Sequence, residues 1–161
     1  MRTLVAYYSR TGNTKFVAEK IAEYLKADLC EVVDKKGRKG KFIILTGGYA
    51  AIKEKLTEIE VTKNVEDFDL VIIGSPVWAN KMTPAIRTFI VNNDFSEKDV
   101  AFFVTMDSDN PEKALLSIKE AVNSKSQVGE LAIINGLKEK EDAEQRITDF
   151  CANIQKIIDN T

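Results

Sequence analysis

The chain has 161 residues, of which 44% are hydrophobic and 30% are charged, so residues 1–161 fit a single globular domain better than a disordered or disulfide-rich protein. The net charge is −2 and the sequence contains no histidine, which excludes Ser-His-Asp and Cys-His nucleophilic catalysis and the commonest zinc ligand. Any chemistry is therefore expected to come largely from a bound cofactor.

The start of the chain shows no sign of export. From Met1 the sequence runs straight into a strand-like pattern without a secretory signal, and no apolar run reaches the ~18 residues of a membrane span. Cys30 and Cys151 lack a metal-binding spacing and are interpreted as buried, reduced thiols. We therefore expect a cytoplasmic protein with no bound metal and no membrane association.

Strand-like and helix-like segments alternate along the chain, which is the pattern of a parallel sheet covered by helices on both faces. Strands are predicted at about 3–8, 28–33, 69–74, 100–105 and 131–134, and helices at about 13–26, from Pro84, from Pro111 and at about 139–159. Residues 69–74 form a near-continuous apolar run, so this strand is predicted to lie at the centre of the sheet. The pattern predicts an α/β fold with five strands.

The stretch between residues 35 and 64 has a less regular pattern. Five basic side chains, Lys35, Lys36, Arg38, Lys39 and Lys41, are interpreted as a solvated loop, because no aromatic residues interleave with them as in a nucleic-acid site. Residues 42–45 fit either a strand or a packed loop. Gly47 and Gly48 are predicted to break this segment before a short helix at 49–56. No nucleic-acid partner is expected.

The loop between the first strand and the first helix is rich in groups that bind phosphate. It consists of Ser9, Arg10, Thr11, Gly12, Asn13 and Thr14. Ligands of an open parallel sheet collect beyond the carboxyl ends of its strands, and amides at a helix N-terminus together with hydroxyl groups bind anions there. The same residues also fit a polar turn in which Asn13 or Thr11 caps the helix. The loop matches neither of the glycine patterns that bind nucleoside triphosphates and dinucleotides.

Two further loops follow predicted strands. Pro76, Val77, Trp78, Ala79 and Asn80 leave the most hydrophobic strand, and the single tryptophan there would either stack on a planar ring or pack against the core. Met106, Asp107 and Ser108, followed by Asp109 and Asn110, leave the next strand. A ligand at this edge would contact all three loops.

Two of these loops carry a family resemblance. Ser9, Thr11, Gly12 and Thr14 fill every fixed position of the Ser/Thr-x-Thr-Gly-x-Thr phosphate loop of flavodoxins, and the Gly-Ser-Pro-x-Trp sequence at 74–78 resembles the branch that contains flavodoxins and small flavin reductases. The resemblance implies a short-chain flavodoxin-like fold, a three-layer α/β/α sandwich whose five-stranded parallel sheet has the order 2-1-3-4-5.

The resemblance also implies the cofactor, flavin mononucleotide (FMN), and the roles of the loops. The hydroxyls of Ser9, Thr11 and Thr14 and the amides of residues 10–14 would hold the ribityl phosphate. The loop at 75–81 would cover the isoalloxazine ring. The loop that begins at Met106 would approach the other edge of the ring, although it departs from the usual glycine-containing form.

The function implied first is that of a flavodoxin, which shuttles electrons between redox partner proteins. Asp107 and Asp109 would then lie near the pyrimidine edge of the ring, where negative charge makes the reduced flavin a stronger reductant. A charge of −2 is small for a flavodoxin. No glycine occurs between Ser75 and Pro84, where flavodoxins commonly place one whose peptide flips, and Asn80 is the residue there most able to adopt a positive φ.

The alternative is an NAD(P)H-dependent FMN-containing reductase of quinones or similar acceptors. The basic residues between 35 and 41 and Tyr49 would help to bind an anionic nicotinamide nucleotide or cover the ring, although surface solubility and core packing are simpler interpretations of them. A third hypothesis is an interaction domain that has lost FMN, against which the complete phosphate loop argues.

Overall fold

A computed structural model describes residues 1–36, 43–107 and 111–160. For residues 43–45 it describes only the backbone. The predicted basic loop therefore lies largely outside the described residues, as do Phe42, Ser108, Asp109 and Asn110. The helices and strands in chain order are β1 (Thr3–Tyr7), α1 (Asn13–Leu25), β2 (Asp28–Glu31), β3 (Val33–Asp34), α2 (Ile43–Ile52), β4 (Ile59–Glu60), β5 (Leu70–Pro76), α3 (Pro84–Val91), β6 (Phe95–Met106), α4 (Glu112–Lys119), β7 (Ser124–Ile134) and α5 (Lys140–Asp159).

Five strands form a parallel sheet in the order β2-β1-β5-β6-β7. Counted within this sheet alone the order is 2-1-3-4-5, so the predicted topology is confirmed. The apolar run at β5 occupies the centre, as predicted, with six consecutive buried residues from Leu70 to Ser75. Both faces of this strand are covered by protein, which explains why its sequence does not alternate between apolar and polar residues.

The sheet divides the core into two layers. Side chains alternate between the faces of a strand, so Leu4 and Ala6 of β1 point into one cluster and Val5 into the other. The first cluster contains residues of α3 and α4, and the second contains residues of α1 and α5. Helices therefore cover both faces of the sheet, which gives the three layers that the sequence predicts.

A second, two-stranded sheet was not predicted. β3 pairs antiparallel with β4, joining Val33 to Glu60 and Asp34 to Ile59. The strand predicted at 28–33 is confirmed as β2 over Asp28–Glu31, but its predicted end is wrong, since Val33 belongs to β3 of the other sheet. Strands of two residues are too short to show periodicity in a sequence, and their pairing depends on tertiary contacts.

The predicted break at the two central glycines is also wrong, because α2 runs through both of them from Ile43 to Ile52. A Cβ atom on Gly47 would lie 2.7 Å from Cζ3 of Trp78. The glycine is thus required by a close approach of the helix backbone to an aromatic ring, and not by a turn. The helix begins at Ile43, where a strand or loop was expected, and ends before residues 53–56.

Within the described ranges, no helix combines the length and the sustained apolar character needed to cross a bilayer.

Candidate functional site

The loops that follow β1, β5 and β6 enclose a cleft of about 420 Å³. Parallel strands end at the same edge of a sheet, and α1 and α3 lie on opposite faces, so the cleft occupies the position where ligands bind in open α/β sheets. Its volume falls within the roughly 300–1,000 Å³ typical of small-molecule pockets. The lining residues are Arg10, Thr11, Asn13, Thr14, Gly48, Pro76, Val77, Trp78, Ala79, Thr105, Met106 and Asp107.

The structure thus brings residues of all three predicted loops to one cleft. Ser9, Gly12 and Asn80 lie in the same loops without lining it, and Ser108 lies outside the described residues. Gly48 and Thr105 line the cleft although the sequence analysis does not identify them. A hydroxyl residue near the end of a central strand is a signal that points to Thr105. Gly48 was predicted only as part of the break before a short helix.

The first turn of α1 presents its backbone amides without a side-chain cap. Gly12 is the N-cap residue with φ 95°, and among the described residues no side chain forms a capping hydrogen bond to the helix. The capping interpretation of Asn13 or Thr11 is therefore wrong; Oδ1 of Asn13 instead accepts a hydrogen bond from the Leu137 amide at 3.2 Å. The amide of Gly12 donates to Ser9 Oγ at 3.2 Å, which closes the loop and occupies that donor. Uncapped amides at this position bind water or an anionic ligand.

A buried pair of hydroxyl groups joins this helix to the sheet. Oγ1 of Thr14 and Oγ1 of Thr105 are 2.7 Å apart, and the two residues are 1% and 4% exposed. The contact links the first turn of α1 to the end of β6, across 91 positions of sequence. It forms part of the cleft wall, since both residues line the cleft.

The loop after β5 is closed at its base by a buried serine. Ser75 Oγ accepts a hydrogen bond from the Thr83 amide at 3.1 Å and donates one to the Pro76 carbonyl at 2.9 Å. Ser75 and Thr83 are both fully buried. These bonds fix the two ends of the segment that carries the cleft residues.

The tip of the same loop is a tight turn. Trp78 and Lys81 exchange two backbone hydrogen bonds of 3.0 Å, and the two residues between them, Ala79 and Asn80, have φ values of 50° and 61°. Asn80, which the sequence marks as the residue here most able to adopt a positive φ, has one, and so does Ala79. A left-handed alanine costs roughly 1–2 kcal/mol, so the surrounding contacts must hold this turn.

One acidic residue ties the turn to neighbouring helices. Glu54 Oε1 lies 3.2 Å from Nζ of Lys81 and 3.2 Å from Nη2 of Arg87 in α3. The hydrogen bond from Lys81 and the charge of Arg87 lower the pKa of the Glu54 carboxyl. The carboxylate therefore stays charged at neutral pH and bridges the turn to α3.

Trp78 both lines the cleft and packs against the protein. Its indole meets the ring of Tyr8 edge-on, with centroids 5.8 Å apart and an interplanar angle of 89°, and also contacts the backbone of α2 at Gly47. Stacking and packing were alternatives in the sequence, but the geometry allows both. The aromatic wall is held in place from two sides.

Comparison with known proteins places these features in a family. The sequence model of the flavodoxin domain family matches residues 49–145, which are more than half of the chain. A flavoprotein from Lactobacillus acidophilus, solved in complex with FMN, is 26% identical, with a TM-score of 0.69 over 86% of this chain and 97% of that one. A flavodoxin from Fusobacterium nucleatum bound to FMN is 16% identical, with a TM-score of 0.65 over 97% of this chain and 98% of that one, and supports the fold alone.

One curated relative carries an enzyme name. An NAD(P)H dehydrogenase (quinone) from Archaeoglobus fulgidus is 30% identical over 94 residues, which are 55% of this chain and 49% of that protein. The match thus spans about half the length of the relative. The chain belongs to the flavodoxin domain family.

Proposed function

We propose that the chain is a cytoplasmic FMN-binding electron-transfer protein, a flavodoxin that shuttles electrons between redox partner proteins. The observation that carries the proposal is the uncapped N-terminus of α1 at one end of a cleft whose other wall is aromatic. The flavoprotein from Lactobacillus acidophilus was solved in complex with FMN, which supports the same ligand here.

The residues at the helix N-terminus fit a phosphate monoester. Thr11 and Thr14 line the cleft, and no side chain in the described ranges caps the first-turn amides of α1. Ser9 accepts from the Gly12 amide and retains its own hydroxyl proton as a donor. The left-handed φ of Gly12 lets the main chain turn into the helix without a Cβ near the ligand. Amides, hydroxyls and the helix dipole together favour a dianion at this point.

The residues at the other end fit a flat aromatic ring. Pro76, Val77, Trp78 and Ala79 would cover one side, with Asn80 at the turn, and Met106 and Asp107 would border another edge. Bound FMN would supply the capacity to accept and release electrons one or two at a time. The carboxylate of Asp107 would oppose the gain of negative charge inside the cleft and so favour donation of electrons.

The binding proposal is tested by titrating the purified chain with FMN and with riboflavin, which lacks the phosphate. Changing Thr11 and Thr14 together to alanine should weaken FMN binding by ~1.5–3 kcal/mol per lost charge-assisted bond and leave riboflavin binding nearly unchanged. Thr148→Ala, on the exposed face of α5, is a matched control. Unaltered FMN affinity in the double variant would refute the phosphate assignment.

The second candidate is an NAD(P)H-dependent reductase of quinones or similar acceptors, favoured by the partial match to the NAD(P)H dehydrogenase (quinone) from Archaeoglobus fulgidus. Anaerobic stepwise reduction of the FMN-loaded protein separates the two roles. A carrier should accumulate a stable one-electron-reduced state and consume little NAD(P)H. Direct two-electron reduction, with catalytic oxidation of NAD(P)H in the presence of a quinone, would favour the reductase.

A further inference from the structure

The buried hydroxyl pair in the cleft wall has a feature that the proposed phosphate loop does not explain. Thr14 belongs to the loop, whereas Thr105 lies at the end of β6 and matches no position of the family's loop motif. The two oxygens are 2.7 Å apart, the ordinary length of an O–H···O bond. Their near-complete burial shields the bond from water.

Counting protons shows what this bond does. Each hydroxyl has one proton, and one of the two protons lies between the oxygens. If Thr105 donates to Thr14, the Thr14 proton is free to point elsewhere; if Thr14 donates, the free proton belongs to Thr105. Both residues line the cleft, so a ligand in the cleft lies beside the hydroxyl pair in either case.

An anion at the N-terminus of α1 selects between the two orientations. Thr14 is the second residue of that helix, so its hydroxyl and its uncapped amide lie in the same first turn. An anion held by those amides attracts the Thr14 proton, and Thr105 must then donate to Thr14. Hydrogen bonds aligned in this way polarise and strengthen one another, most of all in a dry site.

We propose that Thr105 is a positioning residue for the phosphate group of the ligand, acting through Thr14, whose hydroxyl proton it directs into the cleft. The inference rests on the proposed function, because it requires a ligand with a phosphate monoester. It adds to the family's phosphate loop a residue from a different strand. Removing the Thr105 hydroxyl takes away the donor to Thr14 Oγ1, and with it the hydrogen bond that polarises the Thr14 hydroxyl toward the anion.

The test measures dissociation constants for FMN and riboflavin with the wild-type chain and with Thr105→Val, Thr105→Ser, Thr14→Val and the double valine variant. Thr3→Val is a matched control, since Thr3 is a buried threonine at the start of β1 and so at the end of the sheet away from the cleft. Thr105→Ala gives the same comparison if valine disturbs packing. Urea unfolding of each variant verifies that it is folded.

We expect Thr105→Val to weaken FMN binding about tenfold and to leave riboflavin binding unchanged, because one supporting hydrogen bond to a charge-binding hydroxyl is lost. Thr105→Ser should restore the affinity, and Thr3→Val should have no effect. In the Thr14→Val background, Thr105→Val should cost nothing further, since it acts through Thr14.

Four results would overturn the inference. Equal losses for FMN and riboflavin would assign Thr105 a purely structural role in the wall. Additive losses in the double variant would mean that Thr105 does not act through Thr14. If the wild-type chain binds FMN and Thr105→Val binds it with the same affinity, the inference is refuted and the proposed function stands. A wild-type chain that binds no FMN would refute the proposed function as well.

Discussion

The contact between α2 and Trp78 can be tested with two neighbouring glycines, of which only Gly47 lies against the Trp78 ring. A Cβ on Gly47 would lie 2.7, 3.0 and 3.4 Å from three ring atoms of Trp78, whereas a Cβ on Gly48 would have its nearest neighbour, the Ala79 Cβ, at an ordinary 3.9 Å. Both glycines are inside the same helix. Either Gly→Ala change therefore gains the same helix propensity, about 1 kcal/mol.

The two variants should differ by the penalty of overpacking the tryptophan. Gly48→Ala should raise the free energy of unfolding by about 1 kcal/mol. Gly47→Ala adds a clash of about 1–3 kcal/mol to the same gain, so its net effect should lie between neutral and a loss of about 2 kcal/mol. Because Trp78 is only half-buried, part of the clash is relieved if the ring moves into the cleft.

Urea unfolding followed by circular dichroism measures the free energies, and the fluorescence of the single tryptophan reports the position of the ring. Gly47→Ala should shift the native emission spectrum and weaken FMN binding. Gly48→Ala should leave the spectrum unchanged. Equal stabilities and equal spectra for the two variants would refute the packing of Trp78 on α2.

Three further substitutions test other parts of the structure. Gly74→Ala places a Cβ against the Phe103 ring in the buried part of β5, and unfolding experiments should show that stability falls by about 3 kcal/mol or more. Adding Phe103→Leu should recover part of this loss. Lys26 ends α1 with φ 52°, so Lys26→Gly should raise the melting temperature through a gain of about 1 kcal/mol, and an unchanged value would contradict strain there. Burial raises the pKa of Cys151 from 9.0 to about 12, so the folded thiol keeps its proton above pH 9 while the unfolded thiol loses it. Cys151 should therefore lower the free energy of unfolding by about 1.4 kcal/mol between pH 8 and 10. The Cys151→Ala variant should lose correspondingly less stability over this range, and equal pH slopes for the two proteins would refute the raised pKa of Cys151.

The parallel sheet was predictable because its signals are local and strong. The apolar run of β5 is continuous over its buried residues, and α1 and α5 each carry a buried stripe at helical spacing. The boundaries were less accurate. β6 begins at Phe95 and β7 at Ser124, several residues before their apolar centres, because the early residues are polar enough to resemble loops.

The candidate site was also predictable in part. Parallel strands end at one edge, so the three polar strand-end loops had to meet once the strand order was known. Individual roles within the loops were harder to assign. Asn13 fits a helix cap by residue type, yet its amide oxygen accepts from Leu137, which lies 124 residues away. No local pattern contains that partner.

By itself, the sequence determined that five parallel strands alternate with covering helices and that β5 is central, and it predicted a phosphate-binding loop after β1, because each depends on residue types within one short segment. Only the tertiary structure decided that α2 continues through its glycines, that β3 pairs with β4, and that Thr105 meets Thr14. Each of these depends on a contact between residues distant in sequence, and such contacts exist only after the sheet has brought them together.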